Sequence, residues 1–202
     1  MSEAPELSVV PATENATDVV AETPTSGPLI LSASLASGSR SRILAKTAAD
    51  ALRETGVEPT VVDLSQLNLP LCDGESAYGA AGVSDLSEQI KTAGGIICAT
   101  PIYNYDVNAA LKNAIELTGR AWTGQVVGFM AAAGGSGSYM SLMGLANSLM
   151  LDFRCVIVPR FVYTTGEHFQ GDEVGDLDIV QRIGDLTRTI VALSPAVKAI
   201  ES

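Results

Sequence analysis

The chain has 202 residues, enough for one domain with a sizeable core, and its 47% hydrophobic and 17% charged content is that of a compact globule. Its net charge of −11 argues against general nucleic-acid binding and against attachment to anionic lipid, since both need clustered Lys and Arg. No membrane span is expected, because no run reaches the ~18 uninterrupted apolar residues required, and no basic-then-apolar leader opens the sequence.

Residues 1–27, MSEAPELSVVPATENATDVVAETPTSG, contain no Lys or Arg and read as a disordered acidic tail. The domain is expected over 28–202. Leu29–Ser32 reads as a first strand. A helix follows over 40–55, with Ile43, Leu44, Ala48 and Leu52 on one face and Gly56 as its stop. Thr60–Leu64 is a second strand, and a polar stretch, 65–84, leads to a helix near 85–93. Gly95–Thr100 is a third strand, followed by a helix over 107–118. Gln125–Ala132 is a fourth strand, with a helix near 139–150. Cys155–Val158 is a fifth strand, and a last helix spans 177–193.

These strands are short and continuously apolar, the pattern of a sheet covered by helices on both faces. Alternating strands and helices predict an α/β fold with a doubly wound, five-stranded parallel sheet, and five strands fit the order 2-1-3-4-5. Ligands of such sheets bind beyond the carboxyl ends of the strands. Three loops meet there. The first, SASLASGSRSR at 32–42, brings five serines and two arginines to a helix start, where unpaired N–H groups and the dipole favour a phosphate. The second, Thr100–Asp106, brings aromatic rings. The third, Ala133–Tyr139, brings glycines that let backbone N–H groups come close. A phosphate joined to a planar heterocycle suits all three, and flavin mononucleotide (FMN) is the candidate.

At these residues the chain resembles the NADPH-dependent FMN reductase family, flavoproteins of flavodoxin-like fold, over roughly 28–195. The family's G-S-L-R-x-x-S-x-N-like phosphate loop is matched at Ser34, Leu35 and Ser39. TPIYNYDVNAALKNAIE at 100–116 resembles its T-P-x-Y-N-x-x-x-x-x-x-L-K-N-x-I-D, and AAAGGSGS at 131–138 resembles its glycine-rich loop. The chain departs from the family at Ala36, where Arg is frequent, and at Ser41, where Asn is; Arg40 or Arg42 would supply the missing charge. The resemblance implies that Ser32, Ser34, Ser39, Arg40 and Ser41 surround the phosphate. It places Pro101, Ile102, Tyr103 and Asn104 along the flavin and Gly134, Gly135 and Ser136 at its pyrimidine side.

The implied activity is FMN-dependent NAD(P)H oxidoreduction: hydride transfer from NAD(P)H to flavin, then electron delivery to a small-molecule acceptor such as free flavin, a quinone, an azo compound or a metal ion. The alternative is a flavodoxin-type electron carrier without NAD(P)H turnover, but the first loop lacks the T-x-T-G-x-T pattern of that class. No protein catalytic residue is expected, because the flavin carries the chemistry. A homodimer or homotetramer is implied as well.

The remaining conspicuous residues read as structural. Cys72, Cys98 and Cys155 are widely spaced and His168 is the only histidine, so neither disulfides nor a metal site is expected, and the usage fits a cytoplasmic chain. His168 reads as non-catalytic, Lys112 and Asn113 as fasteners of helix and loop, and Trp122, Met140, Met143 and Met150 as core or subunit contacts. Asp172, Glu173, Asp176 and Asp178 read as a solvated run leading into a helix start.

Overall fold

The computed structural model describes residues 26–201, so the acidic tail read over 1–27 lies almost wholly outside the described residues. The main sheet contains β1 (Leu29–Ser32), β2 (Thr60–Asp63), β3 (Ile96–Tyr103), β4 (Asp106–Val107), β5 (Val126–Ala132), β6 (Val156–Ile157) and β7 (Val162–Thr164). Its path runs β2-β1-β3-β5-β6, all parallel, so the expected order 2-1-3-4-5 holds for the five principal strands.

Two features differ from the expected elements. The third strand runs three residues past Thr100 and turns back through β4, which pairs antiparallel with its end. The fifth strand is split. Pro159 has no N–H to give to a ladder, so β6 pairs with the start of β5, and β7 resumes the pairing beside its end. Outside the main sheet, β8 (Phe169–Gln170) and β9 (Glu173–Val174) form a small hairpin that carries none of the length or periodicity of a legible strand.

Helices α1 (Arg40–Glu54) and α5 (Leu177–Glu201) cover one face of the sheet. On the other lie α2 (Val83–Thr92), α3 (Ala109–Thr118) and α4 (Met143–Phe153). Successive strand residues serve the two layers in turn. Leu29 and Leu31 pack on the α2–α3–α4 side with Ile96, Cys98, Val127 and Phe129, while Ile30 packs under α1 and α5 with Ile97, Ala99 and Met130. Burial on both sides is why the strands read as apolar runs rather than alternations.

Each long helix has a physical start or stop. Helix α1 ends at Gly56, whose φ of +80° suits the residue after a helix end. The Asp176 carboxylate accepts hydrogen bonds from the Asp178 and Ile179 amides and so caps α5; Asp172 and Glu173 instead lie exposed on the β8–β9 hairpin. Helix α5 runs past the expected end at 193, with Pro195 inside it and Val197 packed against the core. Trp122 is fully buried, as expected, and donates from Nε1 to Thr118.

Helix α5 approaches the sheet closely at Gly128. A β-carbon there would stand 2.7 Å from a Leu186 methyl and 2.8 Å from an Ile190 methyl. Gly128→Val is therefore expected to destabilise the fold by about 1–3 kcal/mol through overpacking. The check is urea unfolding, with the midpoint lowered and the slope unchanged.

Candidate functional site

The carboxyl ends of β1, β3 and β5 open into a cleft of about 360 Å³. Eight of the twelve site residues expected from sequence line it: Ser34, Ser39, Arg40, Ser41, Pro101, Ile102, Tyr103 and Gly134. Ser32 is buried below the loop and does not line the cleft. Asn104, Gly135 and Ser136 are exposed and lie just outside the lining set. The cleft also takes in Ala36, Gly38, Ala132 and Ala133, whose small side chains leave the backbone accessible. Residue type alone did not mark these four, because their contribution is an absence of bulk.

The phosphate-type corner sits at the start of α1. Ser39 occupies the cap position but does not cap; its hydroxyl pairs with that of Ser41 at 2.7 Å. The Arg42 and Ile43 amides turn back to the Ser39 carbonyl, and the Arg40 and Ser41 amides ahead of them receive no side-chain cap. The two arginines separate clearly. Arg42 points away from the cleft: Nε donates to Asp63 at 2.7 Å, Nη1 to the carbonyls of Ala36 and Ser37 at 2.9 and 2.7 Å, and Nη2 to Ser65. It braces the loop from outside. Partial burial pushes the Asp63 carboxyl up, but hydrogen bonds from Arg42 and Ser65 outweigh that and hold it below the usual carboxylate value.

Arg40 lines the cleft and has neither an ion pair nor a hydrogen-bond acceptor for its guanidinium among the described residues. Its side chain is exposed and rests on neighbouring groups. Its guanidinium lies over Gly166, where a β-carbon would come within 3.1 Å, and stands 5.8 Å from the centre of the Phe169 ring. The Gly166 turn is in turn fixed by His168, whose Nδ1 accepts the Thr165 amide at 3.0 Å. The only histidine thus shapes the loop under Arg40, and it ties that loop to the start of α5, since its Nε2 lies 3.9 Å from an Asp176 carboxylate oxygen and its carbonyl accepts the Gly175 amide.

The flavin-type wall is held by a network that sequence reading missed. Buried Asn108 donates from Nδ2 to the Ala33 carbonyl at 2.7 Å, while its Oδ1 accepts from the Thr100 hydroxyl at 3.1 Å and from the Leu111 amide. One carboxamide therefore joins the first loop, the end of β3 and the start of α3. An Asn directly ahead of a helical run is the signal that marks it as a cap. Asn113 fastens as expected, donating to the Pro70 carbonyl and accepting the Cys72 amide, and Lys112 pairs with Glu116. On the third loop, the Tyr163 hydroxyl donates to the Gly135 carbonyl and Thr164 donates to the Ala131 carbonyl at 2.8 Å.

The donor set fits a phosphate carried on a planar ring. It offers one uncommitted guanidinium, three hydroxyls and a helix start, with no carboxylate among the lining residues to repel an anion. A buried Ser32 hydroxyl without a partner among the described residues lies beneath the same loop. No side chain in the cleft is an activated nucleophile. Burial pushes the Cys98 thiol up and drives that of Cys155 up to about 12, and neither lines the cleft. Among the described residues, no group of three or more His, Cys, Asp or Glu could hold a metal, and no helix is long and apolar enough to cross a membrane.

A mononucleotide-type cleft at the switch point of a doubly wound sheet is the site of a flavodoxin-like protein. The profile of the NADPH-dependent FMN reductase family matches residues 29–170, and the chain belongs to that family. Membership makes it an NAD(P)H-dependent flavin oxidoreductase with FMN as cofactor. It is similar to the NADPH azoreductase of Bacillus sp. (strain OY1-2), 27% identical over 164 residues, which covers 80% of this chain and 89% of that protein. It is also similar to the NAD(P)H-dependent FAD/FMN reductase of Geobacillus thermodenitrificans, 26% identical over 71% of this chain and 79% of the other. In fold it resembles the flavoenzyme NAD(P)H:(acceptor) oxidoreductase of Paracoccus denitrificans, with a TM-score of 0.69 and 20% identity, covering 84% of this chain and 97% of that one.

Removing the Asn108 carboxamide leaves the Ala33 carbonyl and the Thr100 hydroxyl in a buried setting without this partner. Asn108→Ala is expected to cost about 1–3 kcal/mol of stability. Melting of the protein with and without added FMN checks this, and the variant should also gain less from the cofactor.

Proposed function

We propose that the cleft holds FMN with its phosphate at the serine loop and the start of α1, and its ring along Pro101–Asn104. Ser34, Ser39 and Ser41 donate hydroxyls to the phosphate, Arg40 supplies the charge, and Ser32 supports the loop from below. Gly134, Gly135 and Ser136 bring backbone N–H groups towards the polar edge of the ring. Such donors stabilise negative charge that grows on reduction. The chemistry available in such a site is acceptance of a hydride from NAD(P)H and onward delivery of two electrons to an acceptor. The residues' own work is to bind, to orient and to keep one face of the ring open. Quinones and azo compounds are the acceptor classes we favour, because relatives of this chain are named for them.

The observation that carries this reading is Arg40, an exposed cation resting against Gly166 and the Phe169 ring in a cleft whose lining holds no carboxylate. Arg40→Ala should weaken FMN binding by roughly ten- to a hundredfold, the range of a hydrogen bond to a charged group. Arg42→Ala should act less, through the shape of the loop. Titration of apoprotein with FMN, followed by steady-state NAD(P)H oxidation, is the measurement. Equal affinity in Arg40→Ala and the parent would remove Arg40 from the site.

We also infer self-association. Helix α4 and the turn before it are not buried on all sides: Leu145, Ala146 and Leu149 face the core, whereas Tyr139, Met140, Met143, Met150 and Leu151 are exposed. Of the two readings given to these methionines, core or subunit contact, their exposure suits the second. Sedimentation should give a mass of two or four chains, and Met143→Lys should lower it. Three free thiols, two of them buried, are consistent with the reducing cytoplasm we favour as its location.

A further inference from the structure

The turn that joins β3 to β4 contains a residue poorly suited to its backbone. Tyr103 pairs with Asp106, so Asn104 and Tyr105 form a two-residue hairpin loop. Their φ angles are +51° and +66°. Two left-handed residues in such a loop define the turn whose favoured sequence is Asn-Gly. Asn104 suits its place. Tyr105 does not, because the left-handed region crowds the β-carbon of an L residue and a bulky side chain there is an outlier.

Burial does not offset this strain. Tyr105 is 54% exposed, and its ring makes no hydrogen bond or aromatic contact among the described residues. Glycine would hold the same turn without strain and without adding apolar surface to water. A strained residue with no local compensation points to function at that position.

Tyr105 lies two residues beyond Tyr103, outside the set that lines the cleft. The strand leading into the turn lines the cleft through Pro101, Ile102 and Tyr103. Strand β4, leaving the turn, packs beside the short helical turn at 136–142. Tyr103 and Tyr139, on those two neighbours, are also about half exposed. Of the three, only Tyr103 lines the cleft itself, and Tyr139 packs edge-on against Tyr163.

We propose that Tyr105 is a specificity-determining residue for the electron acceptor. Its ring offers a π face at the mouth of the cleft, against which a flat aromatic acceptor rests as it comes up to the flavin. A tyrosine suits this task because it presents a large rigid surface while few torsions need to be fixed. The inference rests on the reading of the cleft as the FMN site.

The test uses FMN-loaded parent protein, Tyr105→Gly and Tyr105→Phe. A naphthoquinone and a diaryl azo dye serve as flat acceptors, and ferricyanide as a non-aromatic one. In Tyr105→Gly, the ratio of kcat/KM for flat acceptor over ferricyanide should fall about three- to tenfold, the size of an aromatic stacking contact. The fall should sit in KM for the flat acceptor, and Tyr105→Phe should keep the parent ratio. The melting temperature of Tyr105→Gly should stay level or rise, since strain is relieved. An unchanged ratio overturns the proposal. So does an equal loss in Tyr105→Phe, or a melting temperature several degrees lower, which would make the ring structural. FMN uptake and NAD(P)H oxidation by the parent test the cofactor site separately: failure there removes the site, whereas normal turnover with an unselective Tyr105→Gly removes only the role of Tyr105.

Discussion

All the principal strands of the main sheet point the same way, and the rest of the molecule answers to that constraint. Parallel strands need long crossovers, which place helices on both faces and force the strands to be apolar throughout. No room is left for chemistry inside the layers. The carboxyl ends of β1, β3 and β5 are where the chain leaves the sheet, and there small, polar and aromatic residues gather around the cleft. The cleft is thus a product of topology before it is a product of particular side chains.

Charge is arranged against the average. A molecule of net charge −11 repels anions at long range. Among the described residues, the cleft lining nevertheless contains no Asp or Glu, and its guanidinium has no acidic partner. Arg42, two residues on, is spent on Asp63 and two loop carbonyls. The division of labour is physical. A cation already paired offers little to a ligand, and one held only by an aromatic face and a glycine keeps its hydrogen-bonding edges free.

Much of this was legible in the residues. Periodicity located the helices, and the composition of three loops located the cleft, because serine, glycine and aromatic side chains are unusual where strands should be followed by tight turns. Arg40 and Arg42 were indistinguishable in sequence, since which one faces inward depends on the pitch of α1 and on Asp63, a residue of another strand. Asn108 was missed because a cap and a three-way brace have the same letter. Tyr105 passed unremarked inside a family-like motif, for strain belongs to φ and not to residue type. The split fifth strand could be anticipated only from Pro159, and the β8–β9 hairpin from nothing periodic at all.

The seat of Arg40 carries a consequence for the order in which the protein is assembled. Its guanidinium rests on Gly166 and faces Phe169, more than half the chain away. The serines of the first loop leave the ribosome early, but the surface that aims their cation is made late. Until the segment around Gly166 has docked, the loop has hydroxyls and a helix start but no fixed positive charge. On the proposed reading of the cleft, the nascent chain would complete its phosphate corner only when most of it has been synthesised, and cofactor capture would then fall late in folding.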